Sequence, residues 1–212
     1  MAEVELEQKY LIADPRPLPQ LEREIRNALR TKGCLVGLGS EGAQTDTYYD
    51  TPDDAVLKAG CSLRVRQKGR ASMLTWKTPA AAAGTAFARN EREESITSPA
   101  TAKSQIAAFF AACLADLPEG SGKALAPVAV VENLRRCYRV TLGSEQYELA
   151  LDSAIYRTPQ NDRQHRERQL ELERKRGEGA ALPELAAALE AACPWLQSAD
   201  GSKYDRARKF LR

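Results

Sequence analysis

A chain of 212 residues that is 43% hydrophobic and 28% charged has the length for a buried core and the polarity of a globular protein. Its net charge of +2 argues against a surface coated for nucleic acid or an anionic membrane, so a basic site must be locally organised. The five cysteines, Cys34, Cys61, Cys113, Cys137 and Cys193, are odd in number and include no C-x-x-C pair, which argues against a disulfide framework or zinc site and for a reducing compartment.

The elements follow in chain order. "VELEQKYLI" alternates Val4, Leu6 and Tyr10 with Glu5, Glu7 and Lys9, the period of a β-strand. "DPRPLPQ" breaks the pattern. Leu21, Ile25, Ala28 and Leu29 then recur at helical spacing up to Gly33. "AQTDTYYDTPD" reads as a strand closed by a Pro-Asp turn, and "CSLRVRQKG" and "SMLTWKTP" as a hairpin. "AAAAGTAFA" is a small-residue connection expected to be mobile, and "RNEREESIT" the next strand. Ser98 and Pro99 suit the cap and first turn of a helix carrying Ile106, Phe109, Phe110, Cys113 and Leu114. A loop, "LPEGSGKALAP", leads to two strands, "VAVVENLRRCYRVTL" and "EQYELALDSAIY", around Gly143-Ser144. A polar loop, "TPQNDRQHR", holds the only histidine, His165, read as solvated; a histidine-based triad is therefore not expected. The strand "RQLELERKRG" follows, then a helix from Pro183 through Leu189 and a short one, "KYDRARKFL". No repeat or linker stands out, so one domain over residues 1–212 is expected. There is neither an apolar run of about 18 residues nor a leader-like start, and a cytoplasmic location is expected.

The strands share a design. Leu63 and Val65 oppose Arg64 and Arg66; Leu74 and Trp76 oppose Lys77; Tyr147, Leu149 and Leu151 oppose Glu148 and Asp152; Leu170 and Leu172 oppose Glu171 and Glu173. One charged face on one strand is ordinarily a solvated sheet surface. Here the signs segregate by strand and arginine, suited to bidentate phosphate binding, takes adjacent same-face positions. An α+β fold accommodates this: a closed antiparallel β-barrel with a polar lumen and helices packed outside. Trp76, Phe109, Phe110 and Trp195 read as packing residues, Lys58 and Lys68 as surface, and the short "RKRGEG" turn as too little for nucleic acid.

In that order, "ELEQK", "YYDTPD", "LRVR", "TWK", a basic residue before "CYRV", "ELALD", "LELE" and "SKYDRA" resemble the CYTH, or triphosphate tunnel metalloenzyme, superfamily, nearest its bacterial inorganic triphosphatase branch. The resemblance implies an eight-stranded antiparallel tunnel acting on a triphosphate with Mg2+ or Mn2+. It implies substrate binding by Lys9, Arg64, Arg66, Lys77, Arg135 and Lys203, and metal ligation by Glu5, Glu7, Asp152, Glu171 and Glu173. Lys9, Arg66 and Glu173 are the expected catalytic groups, with Glu93 and Glu148 in support. The sequence leaves open whether Glu93 or Glu94, and Arg135 or Arg136, face the lumen. Oxygen-only ligation favours Mg2+ or Mn2+ over zinc. The expected reaction is hydrolysis of tripolyphosphate to pyrophosphate and phosphate. Class IV adenylate cyclase, thiamine triphosphatase and a non-catalytic polyphosphate-binding module are the alternatives. The expected partner is a small-molecule triphosphate, neither nucleic acid nor membrane, and a homodimer is compatible with the sequence.

Overall fold

In the computed structural model, residues 3–80, 87–96, 101–117, 124–159, 163–199 and 201–211 are described. The elements in order are β1 (Glu3–Ile12), α1 (Leu18–Thr31), β2 (Leu35–Asp50), α2 (Ala55–Lys58), β3 (Ser62–Lys68), β4 (Ala71–Pro79) and β5 (Phe87–Ile96). There follow α3 (Ala102–Ala115), β6 (Ala126–Leu142), β7 (Glu145–Arg157), β8 (Gln164–Arg176), α4 (Leu182–Ala192), β9 (Leu196–Ser198) and α5 (Lys203–Leu211).

The strands pair in the order β5-β4-β3-β2-β6-β7-β8-β1, and a further β5–β1 pairing closes them into an eight-stranded antiparallel barrel. Closure falls on β1, which divides its length between two neighbours. Glu3 to Glu7 pair with β5, and Glu7 to Leu11 pair with β8. The short β9 adds to the end of β1 opposite Tyr10 to Ile12. Gly69 and Gly143, both at φ near +60°, turn the β3–β4 and β6–β7 hairpins in a conformation that disfavours a Cβ.

Side-chain alternation sorts the barrel into an outside and an inside. Outside, Leu21, Ile25, Ala28 and Leu29 form one stripe of α1 and share a buried cluster with Leu185 and Leu189 of α4 and with Tyr10, Leu149, Leu151, Leu170 and Leu172 of the wall. Each fully buried leucine or isoleucine there stabilises the fold by roughly 1.5–3 kcal/mol. Phe109 and Cys113 of α3 join a second cluster with Leu63, Leu74 and Trp76, the outward residues of β3 and β4. Inside, Tyr48, Ala129, Val131, Ala154 and Tyr156 are buried with Tyr204, Ala207 and Leu211 of α5. The last helix therefore occupies one end of the barrel, against β6, β7 and β8. The other end keeps its polar inward residues.

Several local expectations are corrected. β2 begins at Leu35, well before Ala43, because its first half pairs with β6 through Thr141 across a bulge between Leu38 and Ser40. β6 begins at Ala126, inside the predicted loop, and α2 and β9 were not anticipated. His165 is not a solvated loop residue: it lies on β8 opposite Tyr156 and stacks on Phe210, ring centroids 3.7 Å apart. Within "AAAAGTAFA", Phe87 and Ala88 belong to β5; residues 81–86 and the cap pair Ser98 and Pro99 lie outside the described residues. All five cysteines are buried free thiols. No helix among the described residues is long and apolar enough to cross a membrane.

Candidate active site

The barrel encloses a cavity with about 190 Å³ of space open to water, to which every one of the eight barrel strands contributes. Among the described residues its lining carries eight cationic and seven carboxylate side chains. Strand register explains their convergence. Glu7 lies opposite Glu173 and Lys9 opposite Glu171, so the acids of β1 and β8 form one wall. Arg135 of β6 faces Asp152 of β7. Arg64 and Arg66 of β3 lie across from Tyr48 and Asp46 of β2, while Lys77 of β4 faces Glu91 of β5. Lys203, the first residue of α5, enters from the filled end.

At the floor, the fully buried Asp152 accepts hydrogen bonds from Arg135 Nε at 2.7 Å and Nη2 at 2.6 Å and from Asn133 Nδ2 at 2.8 Å, with Lys203 Nζ also 2.8 Å away. Arg135 and Lys203 each donate to Glu171 as well. Higher up, Lys77 Nζ bonds Glu5 at 2.6 Å and stands 3.2 Å from Glu91. Arg66 grips Asp46 in a fork at 2.7 and 2.8 Å, and Arg64 lies 3.5 Å from the same carboxylate. Lys9 pairs with Glu7 at 2.7 Å, and Lys175 with Glu173 at 2.6 Å. Among the described residues no acceptor meets the buried Nε of Arg64, a donor that an anion in the cavity would satisfy.

The wall acids divide by charge environment. Burial pushes the Glu171 carboxyl up, but Lys203, Arg135 and Lys9 outweigh it and hold the group well below the carboxylate range. Glu5 is held low against its burial by Lys77 and Lys9, and Asp46 is held at about 2 by Arg64 and Arg66 against the same penalty. Glu7 goes the other way: burial, aided by the fields of Glu5 and Glu171, outweighs Lys9. Glu173 is raised to about 7 by burial and by Glu5 and Glu7, with Lys175 in partial opposition. Two adjacent carboxyls therefore resist ionising together, and a divalent cation would relieve that. Among the described residues no three acids already stand as a metal cage. The oxygen-only donors Glu5, Glu7, Glu171 and Glu173 on two paired strands nevertheless fit a hard divalent cation in chemistry.

Of the sequence-derived candidates, Glu5, Glu7, Lys9, Arg64, Arg66, Lys77, Glu93, Arg135, Glu148, Glu171, Glu173 and Lys203 line the cavity. Asp152 lies behind Arg135 and Lys203 and supports them. Glu93 accepts from Thr75 Oγ1 at 3.0 Å and lines the cavity, whereas Glu94, on the opposite parity of β5, stands opposite the outward-facing Leu74. Arg136 points outward to Glu22 at 2.7 Å and Glu41 at 2.9 Å, leaving Arg135 to the lumen. Sequence reading missed Asp46, Tyr48, Ser62, Arg89, Glu91, Lys175 and Ser202. The signal existed for most of them: Arg89 and Glu91 share parity with Glu93, Lys175 with Glu173, and Ser62 with Arg64.

The family model described as the CYTH domain matches residues 3–207. No curated protein matches the sequence. Among solved structures, HpAC1 from Hippeastrum, described as a proposed adenylyl cyclase with a dominant triphosphatase activity, is 15% identical with a TM-score of 0.64, covering 99% of this chain and 97% of its own. A proposed adenylate cyclase from Bacillus halodurans is 18% identical with a TM-score of 0.60 over 96% and 97% of the two chains. Another, from Vibrio parahaemolyticus, is 16% identical with a TM-score of 0.56 over 99% of each. At these identities the likeness is one of fold.

Proposed function

Because the chain belongs to the CYTH family, we propose that it is a metal-dependent triphosphatase whose substrate is inorganic tripolyphosphate, cleaved to pyrophosphate and phosphate. The observation that carries this reading is the charge of the cavity. Its cations exceed its carboxylates by one, and Asp46 and Asp152 behind the lining reverse even that. A triphosphate adds about four to five negative charges near neutrality. Such a site cannot hold it on side chains alone, and pure anion capture would be better served without the acids. With a divalent cation the balance changes.

Glu5, Glu7, Glu171 and Glu173 would hold Mg2+ or Mn2+, which when bound neutralises phosphate charge and lowers the pKa of coordinated water. Arg64, Arg66, Lys77, Arg135 and Lys203 bind the non-bridging oxygens and keep the chain extended for in-line attack. Lys9 and Arg66 stabilise the charge that develops on the leaving and transferring groups. Glu173, beside the other acids of the wall, is the carboxylate placed to accept the proton of the attacking water. Glu148 and Glu93 line the cavity in support.

The test is a phosphate-release panel of tripolyphosphate, ATP and thiamine triphosphate, each with Mg2+, Mn2+ or chelator, with cyclic AMP assayed in parallel. Metal-dependent release, fastest on tripolyphosphate, is expected. Cyclic AMP as the main product from ATP would replace this reading with a cyclase, and tight binding without turnover under any metal would replace it with a binding module.

A further inference from the structure

The "YYDTPD" segment contributes no carboxylate to the cavity, yet its Asp50 is fully buried. Asp50 Oδ1 accepts from the backbone N–H of Thr51 at 2.7 Å and of Val56 at 2.8 Å. Its Oδ2 accepts from Leu57 N–H at 3.1 Å. These bonds satisfy N–H groups at the start of α2 and fix the carboxylate. A further bond is long-range: Tyr204 Oη donates to Asp50 Oδ2 at 2.5 Å. The Tyr204 ring also stacks on Tyr48 of the same segment, centroids 5.2 Å apart and planes 11° from parallel.

Tyr204 directly follows Lys203, and successive residues of a helix point about 100° apart. Tyr204 meets the β2–α2 corner while Lys203 reaches Asp152 and Glu171 on the other side. The two contacts fix both the depth and the rotation of the first turn of α5. We infer that Asp50 and Tyr204 are positioning residues: they set where the Lys203 ammonium stands at the cavity floor and so determine triphosphate affinity. This deepens the triphosphatase reading and rests on it. A second anchor, Arg208 Nη2 donating to Asp54 Oδ1 at 2.5 Å, ties a later turn of α5 to the same corner.

The experiment is calorimetric titration of tripolyphosphate, supplied with Mg2+ as its non-hydrolysable imido form with P–NH–P in place of P–O–P, into wild type, Tyr204→Phe, Lys203→Met and the double variant, with Tm recorded for each. Y204F removes one oxygen and keeps the ring stack. It is expected to weaken tripolyphosphate binding about tenfold, the scale of a lost hydrogen bond to a charged group, and Lys203→Met more. In the K203M background the Y204F effect should vanish, because a positioning residue has nothing left to position. A purely structural tyrosine would lower Tm without that coupling. Y204F binding like wild type, or losing the same factor with and without Lys203, overturns the inference alone. Wild-type protein that takes up no tripolyphosphate overturns the triphosphatase reading and this inference with it. Should Y204F fail to fold, Asp50→Asn, which puts an amide NH2 where Oδ2 accepts from Tyr204 and keeps the Oδ1 acceptor for Thr51 and Val56, is measured the same way. An affinity loss confined to the Lys203 background supports the inference, and unchanged affinity overturns it.

Discussion

The two halves of the barrel interior are built from the same strands and behave as different materials. Along β7 the inward side chains run Glu148, Ala150, Asp152, Ala154 and Tyr156, from ionised to apolar within one strand. At the open half, inward residues meet water and one another. At the other half they meet Tyr204, Ala207 and Leu211 of α5. Alternation fixes which way a side chain points; what it finds there is decided by an element from the far end of the chain.

In the charged half, substitution acts first on activity. Glu171→Ala should cut metal-dependent phosphate release by about 100-fold or more, the scale of removing a group that supports transition-state charge. It also leaves Arg135 and Lys203 without one partner each, so the cavity should be the more basic for it. Near-normal turnover would remove Glu171 from the site. In the apolar half the effect should move to stability. Val131→Ala is expected to cost about 1–3 kcal/mol in denaturant unfolding, from lost burial and the void it leaves, with turnover per folded molecule unchanged.

A finer contrast lies in pH. Glu173 is raised in the folded state, so the native protein holds that proton more tightly than the unfolded chain. Its favourable contribution is complete below the unfolded carboxylate range and is lost as pH rises through about 7. Glu173→Gln should therefore raise Tm at pH 8 by roughly 2–6 °C and change it little at pH 4. An equal shift at both values would contradict this. The smallest effect belongs to the outer wall. Arg136→Gln, beside Arg135 in sequence, loses partly exposed ion pairs to Glu22 and Glu41 and should change stability by about 1 kcal/mol or less, with turnover intact.

Much of this was legible in the chain because period-two alternation is strong wherever one face is charged and the other is Leu, Val or Tyr. The same test extended by two residues would have added Glu91 and Lys175, and by four, Arg89. The first half of β2 escaped for a physical reason: "LVGLGSEG" has three glycines and no alternation, and its strand form comes from pairing with β6. His165 was misplaced because a polar run reads as loop, while its packing partner, Phe210, lies 45 residues on in α5. The role of Asp50 was equally hidden, since Tyr204 reaches it across 154 residues.

Because β1 is bonded on one side to β5 and on the other to β8, its glutamates are synthesised before the strands that seat them. A nascent chain that stops short of residue 164 has no β8 to receive Glu7 and Lys9. Assembly of the acidic wall is thereby tied to completion of the strand order, a high-contact-order closure. Unfinished protein would have half of that wall and none of its pairings across β1 and β8.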